Sequence, residues 1–303
     1  PEAEVIVANG PSADGTTGMV RDRDDVDVLV EISERTVNVA RNAGVEVAGG
    51  DAVALVDYDN RVTAGWLDAV RAGLDEADAV TGPVKPIESA EATSDAGAPA
   101  GGDEPASDKR ARDGQPRDAP ERRTIAGTDV TYFEGSNVAF RRETLRDLDG
   151  FDEYLRTGGA RDAAHRLARM GHRVAWRDGL AVTKELPSPT AADGGRSARE
   201  WGWKYRSLAY RLLKNYGVRP TVLARIGSHA ATDAVGAAAD VVRGESTPSR
   251  WVATGRDVLL GLTGGTSDGL VARGRDRSPA RNPNGIDERA DRVVQYRHRG
   301  GER

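Results

Sequence analysis

Short apolar runs alternate with amphipathic stretches over the first 185 residues of the chain. Glu4-Val-Ile-Val7 and Val26 to Ile32 read as strands, separated by the turn-rich stretch Ala8 to Thr16. Glu34 to Ala43 reads as a helix, with Val37 and Ala40 on one face and Gly44 as its stop. Ala52 to Val56 has no polar interruption, the pattern of a strand buried on both faces. Thr63 can cap a helix reaching about Ala77, in which Trp66, Val70 and Leu74 form a stripe widened by Leu67. A strand follows from Ala79 to Val84. Farther on come a strand at Val138 to Phe140, a helix from Glu143 to Leu148, a helix from Ala163 to Met170 stopped by Gly171, and strands at Arg173 to Trp176 and Leu180 to Val182. Alternating strands and helices predict an α/β fold with a mostly parallel sheet flanked by helices.

The pattern breaks twice. Residues 88–122 hold Ala, Gly, Asp, Pro, Ser and Arg with almost nothing larger that is apolar, and are expected to be a disordered insertion loop. Arg199 to Tyr216 interleaves aromatic, leucine and basic residues at near-helical spacing. That composition suits a helix lying in a membrane interface, or one packed on the preceding domain with its aromatics in the core. Pro220 to Val242 and Arg250 to Leu262 read as two further helices, too interrupted by charge to cross a bilayer. The expected organisation is an α/β domain over residues 1–185, a helical and membrane-associated extension over 186–271, and a disordered tail over 272–303.

Composition narrows the function classes. A net charge of -5 argues against a general nucleic-acid binder, which needs a concentrated positive field. Cysteine is absent, which removes disulfides and thiolate metal sites. Lysine occurs only at positions 85, 109, 184, 204 and 214, so arginine supplies most of the positive charge, and Asp outnumbers Glu. That bias fits a salt-adapted, halophilic surface or a GC-rich genome. His165, His172, His229 and His298 have no metal-ligand spacing, and neither a phosphate loop ending in Gly-Lys-Ser/Thr nor a G-x-S-x-G elbow is present.

The chemistry concentrates where the central apolar run ends, in Asp57-Tyr58-Asp59. Ligands of open α/β sheets bind at the carboxyl ends of strands. Two carboxylates one residue apart share a side while the chain stays extended, and hard oxygens so placed suit Mg²⁺ or Mn²⁺ together with substrate phosphates. The competing reading is a solvated Asp-x-Asp-Asn turn.

Arg41-Asn42-Ala-Gly44, Gly50-Asp51, Leu55-Val56-Asp57-Tyr58-Asp59 and Trp66-Leu67 resemble the nucleotide-binding half of inverting family-2 glycosyltransferases with the GT-A (Rossmann-like) fold. Gly135-Ser136-Asn137-Val-Ala-Phe140-Arg141-Arg142, Gly150-Phe151-Asp152-Glu153 and Asp162-x-x-x-Arg166-Leu167 resemble the acceptor half, in the same order. Gly10 to Thr16, with Asp14, resembles the turn after the family's second strand. The resemblance covers roughly residues 4–185.

It implies that Asp57 and Asp59 bind a nucleotide sugar, together with Mg²⁺ or Mn²⁺. Asn9, Asp14, Arg41 and Asn42 would complete the donor site, and Gly135, Ser136 and Asn137 would face the acceptor. Asp162 is the expected base, with Asp152 as the fallback. The implied activity is inverting transfer to a lipid-linked or polysaccharide acceptor, in the cytoplasm or peripherally at the cytoplasmic face of the cell membrane. Three departures stand against this. The family's first strand is missing before Pro1, Ala8 replaces a base-recognising Asp for which Asn9 substitutes in part, and Lys184-Glu185 stands where a His often completes the metal shell. Lys184 could instead meet a phosphate as a point charge. A catalytically inactive scaffold of the same fold is the main alternative, and a nucleotidyltransferase sharing the metal carboxylates is a third.

Overall fold

The computed structural model describes residues 3–11, 15–33, 36–86, 119–184, 201–244, 247–275, 282–288 and 294–297. Strands β1 (Ile6–Asn9) and β2 (Val28–Glu31) pair in parallel and carry α1 (Thr16–Arg21) and α2 (Val37–Val47). Helix α2 runs through Gly44 rather than stopping there. Val39, Ala43 and Val47 on one face meet Val28, Val30 and Ile32 of the sheet, and this apolar stripe carries the helix past the glycine.

The second sheet has the order β10–β5–β9–β3, formed by Val174–Trp176, Ala79–Thr81, Asn137–Arg141 and Ala52–Val56. β10 is parallel to β5, whereas β9 is antiparallel to both β5 and β3. Three of the four strands therefore point one way around a reversed β9. Val138, Ala139 and Phe140 are fully buried at its centre. The central apolar run forms β3 with the boundaries its sequence predicts, but not with burial on both faces. β3 is an edge strand in which Val53 is buried while Ala52, Ala54 and Val56 are exposed.

Helix α3 (Trp66–Glu76) lays Trp66, Val70 and Leu74 on Val80 and Ala139. Leu67 does not join that stripe and is exposed. β4 (Asn60–Val62), β11 (Val182–Lys184) and β6 (Val84–Pro86) make a small sheet beside the end of β3. The insertion loop expected over 88–122 lies largely outside the described residues. Its last part belongs to a hairpin, β7 (Arg122–Ile125) with β8 (Thr128–Thr131), turning at Ala126-Gly127.

Helices α4 (Arg142–Asp147) and α5 (Gly159–Met170) follow, with Gly171 closing α5 at a φ of 83°. Helix α6 (Trp201–Tyr216) then returns to the core. Its Tyr205, Leu208, Ala209, Leu212, Leu213 and Tyr216 pack with Phe140, Leu145, Phe151 and Leu167 in one cluster. The interleaved aromatics of this helix are core, not a membrane face. Helices α7 (Pro220–Val242) and α8 (Pro248–Arg275) complete the helical extension, the latter much longer than its periodicity suggests. Along α8, Gly261, Gly265 and Gly269 lie against the backbone of Gly202, Arg206 and Tyr210, where any Cβ would collide.

The tail expected to be disordered returns to the α/β domain in its described parts. β12 (Val294–Arg297) adds antiparallel to β2, and Asn284 reaches the buried Asp152.

A charged cluster ties these helices to the sheet. Lys214 Nζ on α6 lies 2.5 Å from Asp152 Oδ2 and 3.0 Å from Asp162 Oδ2. Arg166 Nε donates to the same Asp162 oxygen at 2.8 Å and Asn215 Nδ2 to the other at 2.8 Å. Tyr210 OH and Asn284 Nδ2 donate to Asp152. Burial opposes charge on Asp162, yet Lys214 and Arg166 outweigh it and hold the carboxyl well below its usual range. Removing one partner of such a cluster strands a buried charge.

Lys214→Met should lower unfolding free energy by about 3–5 kcal/mol, read by urea unfolding at pH 7; an unchanged midpoint would refute the cluster's role. His165, between the hydroxyls of Tyr132 and Tyr216, is pushed down to about 3 by burial and by neighbouring arginine. The unfolded chain takes up this proton below about pH 6.5 and the folded chain does not, so stability falls from there toward pH 3. The loss should be about 2 kcal/mol at pH 5, and His165→Gln should flatten this part of the pH profile.

Candidate functional site

The carboxyl end of β3 does not continue extended. Asn60 N–H donates to Asp57 O at 3.0 Å, closing a turn that leaves Tyr58 97% exposed. The turn is held from below by the chain before β9. Ser136 O accepts Asp57 N–H at 3.3 Å and Asn60 Nδ2 at 2.8 Å. The two carboxylates thus stay close in sequence but take different partners.

Asp57 Oδ1 lies 3.2 Å from Arg41 Nη2, and Asp59 Oδ2 lies 3.3 Å from Lys184 Nζ at the end of β11. Arg41 lies above Phe151 and against Gly135, where a Cβ would meet its guanidinium at 2.6 Å. Burial lowers the Arg41 pKa, and Asp57 and Glu134 partly offset that. Glu134, which the motif Gly135-Ser136-Asn137 follows directly, joins the site through this charge and was not among the residues the sequence singled out. Asp59 Oδ1 and Asn60 Oδ1 are buried and accept no hydrogen bond within the protein, which marks this turn as a place where polar groups are left unsatisfied. The result is a small polar cluster of two acids and two bases where an α/β sheet presents ligands.

Several expected site residues have other work. Asn42 is fully buried and clasps the Gly150 loop, donating to Phe151 O at 2.8 Å and to Glu153 Oε1 at 2.9 Å while accepting from Phe151 N. It is a packing residue and does not reach a donor nucleotide. Asn137 is also fully buried: its amide donates to Leu180 O at 2.7 Å and accepts from Trp66 Nε1 at 3.1 Å. It cannot meet an acceptor. Gly135 serves by making room for Arg41, and Ser136 by its carbonyl. Asn9 ends β1 and donates to Thr17 Oγ1 at 2.9 Å, while Asp14 lies outside the described residues. Arg141 and Arg142 donate to backbone carbonyls of Leu74 and Gly49.

The expected bases are corrected most sharply. Asp162 and Asp152 have no exposed surface, and Lys214 neutralises both. A general base needs hydrogen-bond reach to the proton it takes, and neither carboxylate has it.

The expected Mg²⁺ or Mn²⁺ does not fit the cluster as it stands. Among the described residues, no group of three His, Cys, Asp or Glu could hold a metal ion. The free Oδ1 of Asp59 is a suitable hard oxygen, but its other oxygen already faces an ammonium. A divalent ion about 4 Å from that ammonium would be repelled by roughly 8 kcal/mol at an effective dielectric of about 20, before solvent screening reduces the figure.

Residues 1–149 match the family model described as Glycosyl transferase family 2. No curated protein matches the sequence. Among solved structures, the chain is similar to the mannosyltransferase PcManGT from Pyrobaculum calidifontis in complex with GDP-Man and Mn²⁺. That match has 20% identity, covers 91% of this chain and 79% of that one, and has a TM-score of 0.43. A second is TarS 1-349 of S. aureus in complex with UDP-GlcNAc, with 17% identity, 75% of this chain and 63% of that one covered, and a TM-score of 0.47. The family match spans β1 to α4 and includes Arg41, Asp57 and Asp59. Residues 1–149, just under half of the chain, thus resemble a glycosyl transferase family 2 domain, and a helical region follows the α/β fold.

Proposed function

We propose that the protein is a glycosyltransferase that moves a sugar from a nucleotide-sugar donor to a lipid-linked or polysaccharide acceptor, with inversion at the sugar carbon. The observation that carries this reading is the convergence of Arg41, Asp57, Asp59 and Lys184 at the end of β3, the first three of them inside the segment that matches the family and Lys184 brought to it from beyond that segment. The departing nucleoside diphosphate gains negative charge as the sugar–phosphate bond breaks. Fixed cations at that place stabilise it, and carboxylates orient both the cations and donor hydroxyls. Metal assistance is not part of this reading. The acceptor hydroxyl gives up its proton to a group other than Asp152 or Asp162.

Peripheral attachment to a membrane is supported, within the extension expected to make it, by α8 rather than by α6. Leu259 and Leu260 on α8 are 65% and 59% exposed, and Val252, Leu270 and Val271 are exposed along the same helix. No helix among the described residues is long and apolar enough to cross a membrane.

The alternative of a catalytically inactive relative draws on one observation: both acids expected to act as base are sealed in the core. Turnover separates the two readings. The full chain should release nucleoside diphosphate from a nucleotide sugar, and Asp57→Ala and Asp59→Ala should each lower the rate roughly 100-fold or more while leaving urea unfolding nearly unchanged. Binding of nucleoside diphosphate with no turnover on any donor would favour the inactive relative. For attachment, Leu259→Asp with Leu260→Asp should weaken binding to anionic lipid vesicles at least about tenfold; equal binding would remove α8 as the contact.

A further inference from the structure

Lys184 is the one feature of the candidate site that a two-carboxylate metal centre does not need. It ends β11, whose pairing with β4 places Lys184 opposite Asn60, directly beside the Asp57–Asn60 turn. β6 holds β11 from the other side, with Lys184 opposite Pro86. Two strands thus fix the stem from which the ammonium reaches Asp59 Oδ2 at 3.3 Å. The ammonium has three donors, and one directed to Asp59 leaves two for other oxygens. The side chain is 43% exposed, so those donors have access to a ligand. Asp59 in turn keeps its other oxygen, Oδ1, buried and without a hydrogen-bond partner. Arg41, paired with Asp57 at 3.2 Å, supplies the second fixed cation.

We infer that Lys184 is a built-in cation that takes the place of a divalent metal at Asp59, so that this site holds a nucleoside diphosphate through Lys184 and Arg41 without metal. The inference rests on the proposed function for its ligand and on the cluster's geometry for its cation. Asp59 holds Lys184 in position, and Lys184 places one unit of charge where a divalent ion would place two. Arg41 makes up the difference from the other side of the turn. A metal and the Lys184 ammonium compete for Asp59, so removing the lysine opens the carboxylate to a metal.

The test titrates GDP and UDP into the full-length chain by calorimetry, in EDTA and again in Mn²⁺, for the wild type, Lys184→Ala and Lys184→Arg. Mn²⁺ alone is titrated by electron paramagnetic resonance. The wild type should bind one of the nucleotides with the same affinity in EDTA as in Mn²⁺. Lys184→Ala should bind it at least about tenfold more weakly in EDTA and recover in Mn²⁺, within the usual range of coupling between two ligands of one site. Lys184→Arg should behave as the wild type, because it keeps a cation. Loss of wild-type binding in EDTA would overturn the inference, as would Lys184→Ala binding as well as the wild type without metal. If neither nucleotide binds the wild type under either condition, the proposed function fails on its own, and the Mn²⁺ titration decides the cation. A Mn²⁺ affinity raised in Lys184→Ala sustains the assignment, and an unchanged one overturns it.

Discussion

The contact of Lys214 with Asp152 and Asp162 holds the two halves of this protein together. Two acids and two bases, Lys214 and Arg166 among them, are buried in one cluster with their charges balanced. Lys214 brings α6, Asp162 and Arg166 belong to α5, and Asp152 belongs to the loop that Asn38 and Asn42 of α2 clasp by its carbonyls. Helices α2, α5 and α6 meet at this point. A buried charge cluster costs desolvation and is tolerated only when each member is paired, which demands one arrangement of these elements and no other.

That arrangement explains why the front of the molecule can be polar and open. The Gly150–Leu155 loop that the cluster fixes carries Phe151 beneath Arg41. Arg41 lies against Gly135, and Ser136 carries the Asp57–Asn60 turn. The core cluster and the strand-end cluster are thus joined through packed neighbours. The first supplies rigidity with charges that never meet a ligand. The second gathers two cations, two carboxylates and two buried unsatisfied acceptors at the end of β3.

The alternation of strands and helices was legible because apolar period and turn chemistry are local, and β3 appears with the limits its apolar run suggests. Its edge position was not legible, since strand order depends on pairings with residues more than eighty positions away, as between Ala52 and Arg141. The same limit misled the reading of the site. Asp162 looks like an acid at a helix start, and its neutralising lysine lies 52 residues farther along. Asn42 and Asn137 sit in motifs of functional appearance, and only the fold shows both amides spent on backbone carbonyls. The aromatic and basic pattern of α6 suits a membrane face and a core face equally. Contact with Phe140 and Phe151 in one cluster decides for the core. Asp57 and Asp59 were legible as residues at the end of a strand, a position that a local pattern does reveal.

The role of the strand-end cluster is decided by a crystal structure of the full chain with a nucleoside diphosphate at saturating concentration. The diphosphate should lie within hydrogen-bond distance of Lys184 and Arg41, beside Asp57 and Asp59 at the end of β3. Diphosphate density elsewhere on the molecule, or an empty cluster in crystals shown to contain the ligand, would contradict it.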